Sequence, residues 1–265
     1  MGHIDVSAVD YSLSDGRVLL NDVSFRVGDG AKVALIGANG SGKTTLFRMI
    51  AGDLSPDSGQ VSISGGLGVM RQFIGSVRDH TTVQQMLLSV APKRIRDAAE
   101  NVSHTEMAMH EKDTEKSQMA YAQAIIEWGD VGGYDYEVIW DVCCTSALGK
   151  SFEEVANREV NTLSGGEQKK LVLTALLEGP DETLLLDEPD NYLDVPSKRW
   201  LEEVITATKK TVLFISHDRE LLENTANRIV TLEQGSSGNT TWIHATLKTF
   251  RHESMLCFQR ILVRG

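Results

Sequence analysis

At 265 residues the chain has room for one large domain or two modest ones of about 150 residues each, and not for two full enzyme domains with a linker. Apolar residues at 41% and charged residues at 24% form a globular mixture that excludes wholesale disorder. With 26 basic and 37 acidic side chains the formal charge is -11, which excludes general attraction to nucleic acid or anionic lipid and leaves only local basic patches for such contacts.

Residues 1–10 lack a basic stretch followed by an apolar one, and no window approaches about eighteen consecutive apolar residues, so neither a secretory leader nor a membrane-spanning helix is expected. A cytoplasmic location follows. The three cysteines agree with it: Cys143 and Cys144 are adjacent, no C-x-x-C can be drawn, and buried free thiols are expected. The histidines form no metal-ligand spacing.

In chain order, residues 23–27 and 32–36 are predicted strands separated by the Gly28-Asp29-Gly30 turn. The second runs into Gly37-Ala38-Asn39-Gly40-Ser41-Gly42-Lys43-Thr44, followed by Thr45 and a helix over 46–51 capped by Gly52. This matches G-x-x-x-x-G-K-[ST] between a strand and a helix, the context a phosphate-binding loop requires. Glycines let backbone N–H groups curl around phosphates, and the helix N-terminus favours anions. Lys43 is expected to hold the β- and γ-phosphate oxygens of ATP, and Thr44 to ligate Mg2+.

Short strands are predicted over 61–64 and 69–72. Residues 80–160 then turn polar and helical. Tyr121, Ile125 and Trp128 make one helical stripe, and Ile139, Val142, Cys143 and Ala147 another, with Gly132-Gly133 between them, so a helical hairpin is expected. Lys93, Arg94 and Arg96 form a local basic cluster, read here as a solvated helix face that is also suited to RNA.

Alternation of strands and helices returns after Leu163. Ser164, Gly165 and Gly166 open a helix over 165–177, whose N-terminus is suited to a γ-phosphate. Residues 183–186 read as a buried strand ending in Asp187 and Glu188. Asp187 is placed to hold the Mg2+ shell and Glu188 to polarise the attacking water. Pro196 starts a helix, 211–215 and 229–232 are strands, and 219–224 is a helix. Such alternation implies a mostly parallel sheet with ligands at the carboxyl ends of its strands.

Leu163-Ser164-Gly165-Gly166-Glu167-Gln168, beside the phosphate loop and the acid pair, resembles the LSGGQ-like signature of the ATP-binding cassette (ABC) superfamily. The resemblance covers about residues 3–244. It implies an α/β fold: an ABC-type P-loop NTPase cassette with a mostly parallel core sheet, an antiparallel β subdomain and a helical subdomain carrying an arm-like hairpin, inserted at about 80–160. It also implies roles for further residues. Gln72 resembles the Q-loop glutamine that touches Mg2+ and the attacking water. Asn191-Tyr192-Leu193-Asp194 resembles the D-loop, with Asp194 at a dimer seam. His217 resembles the switch histidine that contacts the γ-phosphate, and Tyr11 falls where the family places an aromatic under adenine.

Gln72 and Leu163 lie 91 positions apart, a longer segment than in transporter cassettes, and the excess resembles the arm of the ABC-F branch, whose members lack transmembrane domains and act on the ribosome. Residues 187–194 resemble that branch's DEPTNHLD string, departing from it at Asp190 and Tyr192; Glu167 stands where transporters usually have glutamine. The branch continues into a second cassette, whereas residues 245–265 resemble neither that cassette nor its linker and are read as a tail of unassigned role. In the family each nucleotide is sandwiched between opposing cassettes, so hydrolysis is expected to need a homodimer or a partner cassette. The resemblance thus implies an ATPase working on ribosomes in translation or antibiotic resistance. The alternatives are the nucleotide-binding subunit of a transporter and a truncated cassette that binds ATP without turnover.

Overall fold

The computed structural model describes residues 2–71, 80–237 and 240–249. In chain order the elements are β1 (Ile4–Ser12), β2 (Val18–Val27), β3 (Lys32–Gly37), α1 (Lys43–Ile50), β4 (Ser58–Ile63) and β5 (Leu67–Met70). Six helices follow: α2 (Val83–Ser89), α3 (Lys93–Glu111), α4 (Glu115–Asp130), α5 (Gly133–Leu148), α6 (Phe152–Val155) and α7 (Gly165–Glu178). The last elements are β6 (Thr183–Asp187), α8 (Val195–Ala207), β7 (Thr211–Ile215), α9 (Arg219–Thr225), β8 (Arg228–Ser237) and β9 (Thr240–Thr249). They divide into two compact units, Met1–Gln72 with Asp181–Gly265, and Phe73–Pro180.

The nine described strands form one sheet of the first unit, in the order β4-β1-β2-β9-β8-β3-β7-β6-β5. Neighbours from β8 to β5 run parallel, and β1 pairs antiparallel with β2 and β4. This is the mostly parallel core with an antiparallel β portion that the resemblance implies. Strands β3, β6 and β7 are buried at every position, which is why their sequences are nearly continuous apolar runs rather than alternations. Lys32, the charged residue of β3, has hydrogen-bond partners there: its Nζ donates to the carbonyls of Gly30 (2.9 Å) and Lys210 (2.7 Å), and burial lowers its pKa. Leu46, Phe47, Met49 and Ile50 of α1 cover the sheet over Val33, Leu35, Leu185 and Leu213.

Strand β1 is absent from the sequence-based reading, and its backbone explains the omission. Ile4, Val6 and Val9 are the buried residues, so the two-residue period breaks between Val6 and Val9, where the ladder shifts register and Ala8 takes φ 50°. Gly59 on β4, at φ +79°, lies against the Ala8 carbonyl so closely that a Cβ would overlap it. Gly59→Ala should therefore destabilise the protein by about 2–4 kcal/mol, combining the left-handed penalty with overpacking, and thermal melting checks this.

In the second unit, Trp140 is the centre of an aromatic cluster with ring centroids 6.2 Å from Trp128, 6.2 Å from Tyr136 and 5.3 Å from Phe152. Cys143 and Cys144 are buried free thiols, each pushed up to about 12 by burial. The expected helical segment proves to contain a closely packed pair, α3 against α4, turning at residues 112–114. Val102, Thr105 and Met109 of α3 and Ser117, Tyr121 and Ile125 of α4 are half-buried, and Asn101 donates to Glu127 at 3.0 Å across the pair. Between Ala98 and Ala124 no side chain is fully buried, so the pair extends beyond the aromatic root as an arm-like hairpin. Gly132-Gly133 separates α4 from α5, as the two stripes predict, yet the tight hairpin lies one helix earlier.

Candidate functional site

The register of three adjacent strands brings the first unit's chemistry to one edge. Ala34 on β3, Phe214 on β7 and Leu186 on β6 stand side by side, so Gly37, His217 and Glu188 emerge at the same carboxyl end of the sheet. The loop after β3 turns through left-handed glycines: Gly40 at φ +79° and Gly42 at φ +80°, the latter being the N-cap of α1. Gly42 makes no side-chain cap, and the first N–H groups of α1 lack intrahelical acceptors, the arrangement that binds anions.

Lys43 Nζ donates to the carbonyls of Gly37 (2.8 Å) and Ala38 (3.1 Å), folding the ammonium over the loop. Burial lowers its pKa, and the charges of Glu188 and Asp187 oppose that shift, which places the cation within electrostatic reach of both acids. Ser41 Oγ is buried without a hydrogen-bond partner among the described residues. An orphaned hydroxyl and a cation resting on loop carbonyls fit a site whose intended partner is an oxyanion. Thr44 is exposed and Thr45 half-buried at the head of α1; Asn39 is exposed on the loop.

Asp187 closes β6 and is 7% exposed. Glu188 follows at φ 50°, an uncommon region for a non-glycine residue. Its N–H donates to the Ile215 carbonyl (2.9 Å), and its Oε2 accepts from Asn191 Nδ2 (2.5 Å). Its Oε1 lies 4.0 Å from His217 Nε2. These bonds hold the carboxylate at the sheet edge between the loop and the histidine.

Asp194 is the N-cap of α8, its side chain accepting from Ser197 N at 3.0 Å, with Pro196 in the first turn. Tyr11 stands opposite Leu20 on β2, and Leu20 Cδ2 lies 3.1 Å from where a Gly42 Cβ would be, so the tyrosine is one strand removed from the loop. Gln72 lies outside the described residues. Arg71 before it donates through both terminal nitrogens to the Asp53 carboxylate beyond α1.

Ser164, Gly165 and Gly166 belong to the second unit, as the start of α7. Ser164 Oγ accepts from Glu167 N (3.2 Å) while Glu167 Oε2 accepts from Ser164 N (2.7 Å), a reciprocal capping box that also accounts for glutamate at this position. Gln168 Nε2 donates to the Val160 and Leu163 carbonyls and braces the turn before the helix. The box leaves the N–H groups of Gly165 and Gly166 as first-turn donors.

Two features escaped the sequence reading. The Asn191 amide on Glu188 has a local signal, since the two are three residues apart across the turn after β6. The ion pair of Lys198 with Asp218 (2.5 Å) has none, its partners lying on different elements.

A family model described as "ABC transporter" matches residues 20–191. The chain is 58% identical over 254 residues to an "Antibiotic resistance protein" of Mycobacteroides abscessus, covering 96% of this chain and 46% of that protein. It is 33% identical over 249 residues to the "Energy-dependent translational throttle protein EttA" of Haemophilus influenzae, covering 93% and 37%. The chain thus spans less than half the length of either relative. Among solved structures, an "ATP binding subunit of ABC transporter" superposes with a TM-score of 0.65 at 19% identity, covering 98% of both chains, a likeness of fold.

Proposed function

The chain belongs to the ABC transporter family, and from that premise we propose that it hydrolyses ATP at a site completed by a second cassette, as an ABC-F-type factor acting on the ribosome. The observation that supports hydrolysis is the shared strand edge carrying the phosphate loop, the Asp187-Glu188 pair and His217. In this reading the loop N–H groups from Asn39 to Thr45 and the Lys43 ammonium bind the β- and γ-phosphates, and Tyr11 lies under the adenine. Thr44, Asp187 and Gln72 hold Mg2+, which when bound neutralises charge on the phosphate oxygens. Glu188 accepts the proton of the attacking water, oriented by the Asn191 amide, while His217 donates to the γ-phosphate. Ser164, Gly165 and Gly166 meet the γ-phosphate of the nucleotide held by the opposing cassette, and Asp194 lines the seam.

The ribosomal reading is supported by the exposed α3–α4 hairpin and by the likeness to a translational throttle protein and an antibiotic resistance protein. A cytoplasmic location accompanies it. Lys93 and Arg94 are exposed at the root of the hairpin, but Arg96 donates to the Ala91 (3.1 Å) and Ser89 (3.4 Å) carbonyls and closes the end of α2. Glu188→Gln protein, with a second cassette supplied where needed, should co-sediment with ribosomes in ATP, and the complex should weaken as salt rises. Replacing residues 101–122 by a Gly-Ser turn, which spares the buried root, should reduce recovery at least about tenfold without changing ATP binding. Recovery with membranes instead would transfer the assignment to a transporter subunit.

A further inference from the structure

Lys198 stands in the first turn of α8, where the helix dipole disfavours a cation, so its place is explained by what it reaches. Its Nζ donates to Asp218 Oδ2 at 2.5 Å, with the two side chains 36% and 19% exposed. Asp218 is the N-cap of α9: its Oδ1 accepts from Glu220 N (3.0 Å) and Leu221 N (3.3 Å), and its own N–H donates to Ser216 Oγ (2.9 Å). His217 is the residue between Ser216 and Asp218. The bonds on its two neighbours therefore set the backbone from which its ring faces Glu188.

A second carboxylate bears on the same lysine. Asp190, in the turn after Glu188, is 7% exposed, and its Oδ1 has no hydrogen-bond partner among the described residues. Its charge acts on Lys198 together with that of Asp218. Lys198 thus bonds an acid from the loop that carries His217 and lies within electrostatic reach of an acid from the turn that follows Glu188, as well as of Glu220. Farther along α8, Glu202 accepts from Asn224 at 2.8 Å, tying α8 to α9 away from that loop.

We propose that Lys198 is a positioning residue that sets the His217 loop against the acid turn after β6, fixing the distance between the imidazole and Glu188. The inference rests on the ATPase reading, and the experiment separates the two. Lys198→Met, Lys198→Arg and Asn224→Ala proteins are compared with wild type by amide hydrogen exchange without nucleotide and by steady-state phosphate release with ATP and Mg2+. In Lys198→Met, exchange over residues 217–221 should accelerate about fivefold or more, and kcat should fall by about the same factor with KM within about twofold, as expected for loss of a partly shielded charge-assisted bond. Lys198→Arg should restore both readouts, and Asn224→Ala should move neither. Unchanged exchange in Lys198→Met would overturn the proposal whether or not the protein turns over ATP. Accelerated exchange with unchanged kcat in an active protein would overturn the positioning role. Wild-type protein that releases no phosphate even with a second cassette supplied would refute the ATPase reading alone, and the exchange result would still decide whether Lys198 holds the loop.

Discussion

Lys43→Ala protein is expected to bind ATP about 10^3-fold more weakly than wild type, since one unit-charge contact at about 4 Å contributes on the order of 4 kcal/mol at an effective dielectric near 20. The ammonium is held by the Gly37 and Ala38 carbonyls, and burial lowers its pKa, so it is already partly stripped of water. The charges of Glu188 and Asp187 oppose that lowering, and an incoming polyanion acts in the same direction as they do. Alanine leaves two loop carbonyls without their cation and the phosphates without a counter-charge. Nucleotide titration by fluorescence or calorimetry reads the change directly, and undiminished affinity would end the assignment of this loop to phosphate.

The second large effect belongs to Glu188. Glu188→Gln retains the side chain's shape and the left-handed backbone, but an amide does not accept the water's proton, so phosphate release should fall by about 10^2 to 10^4. ATP affinity should stay within a small factor, because the binding contacts come from the loop after β3. The Asn191 amide bond to Oε2 can be retained by the glutamine carbonyl, which keeps the turn after β6 intact. Single-turnover phosphate release beside equilibrium ATP binding separates the two quantities. Hydrolysis within tenfold of wild type would show that another group activates water.

How far the sequence reveals these features depends on whether their cause is local. Strand β7 (Thr211–Ile215) is read to the residue, and β3 and β6 to within one, because two-sided burial demands unbroken apolar runs. Strand β1 hides behind the bulge at Ala8, and α3 behind its exposure: only Ile95 and Ala98 of its nineteen residues are buried, too few for an apolar stripe. The glycine-rich loop from Gly37 to Thr44 is legible because its residues are contiguous and backbone-determined. The Lys198–Asp218 pair depends on how two helices meet, which no spacing of residues encodes.

The hairpin of α3 and α4 has a mechanical consequence. From Ala99 to Glu111 it projects about 18 Å at 1.5 Å per residue, while its origin is clamped by Trp128 against Trp140, which Phe152 backs. A slender rod fixed at a stiff pivot converts angle into travel: a tilt of about 10° at the indoles carries the turn at residues 112–114 sideways by about 3 Å, close to the length of a hydrogen bond. Contacts at the far end are therefore made or broken by rotations that hardly disturb the packing at the pivot.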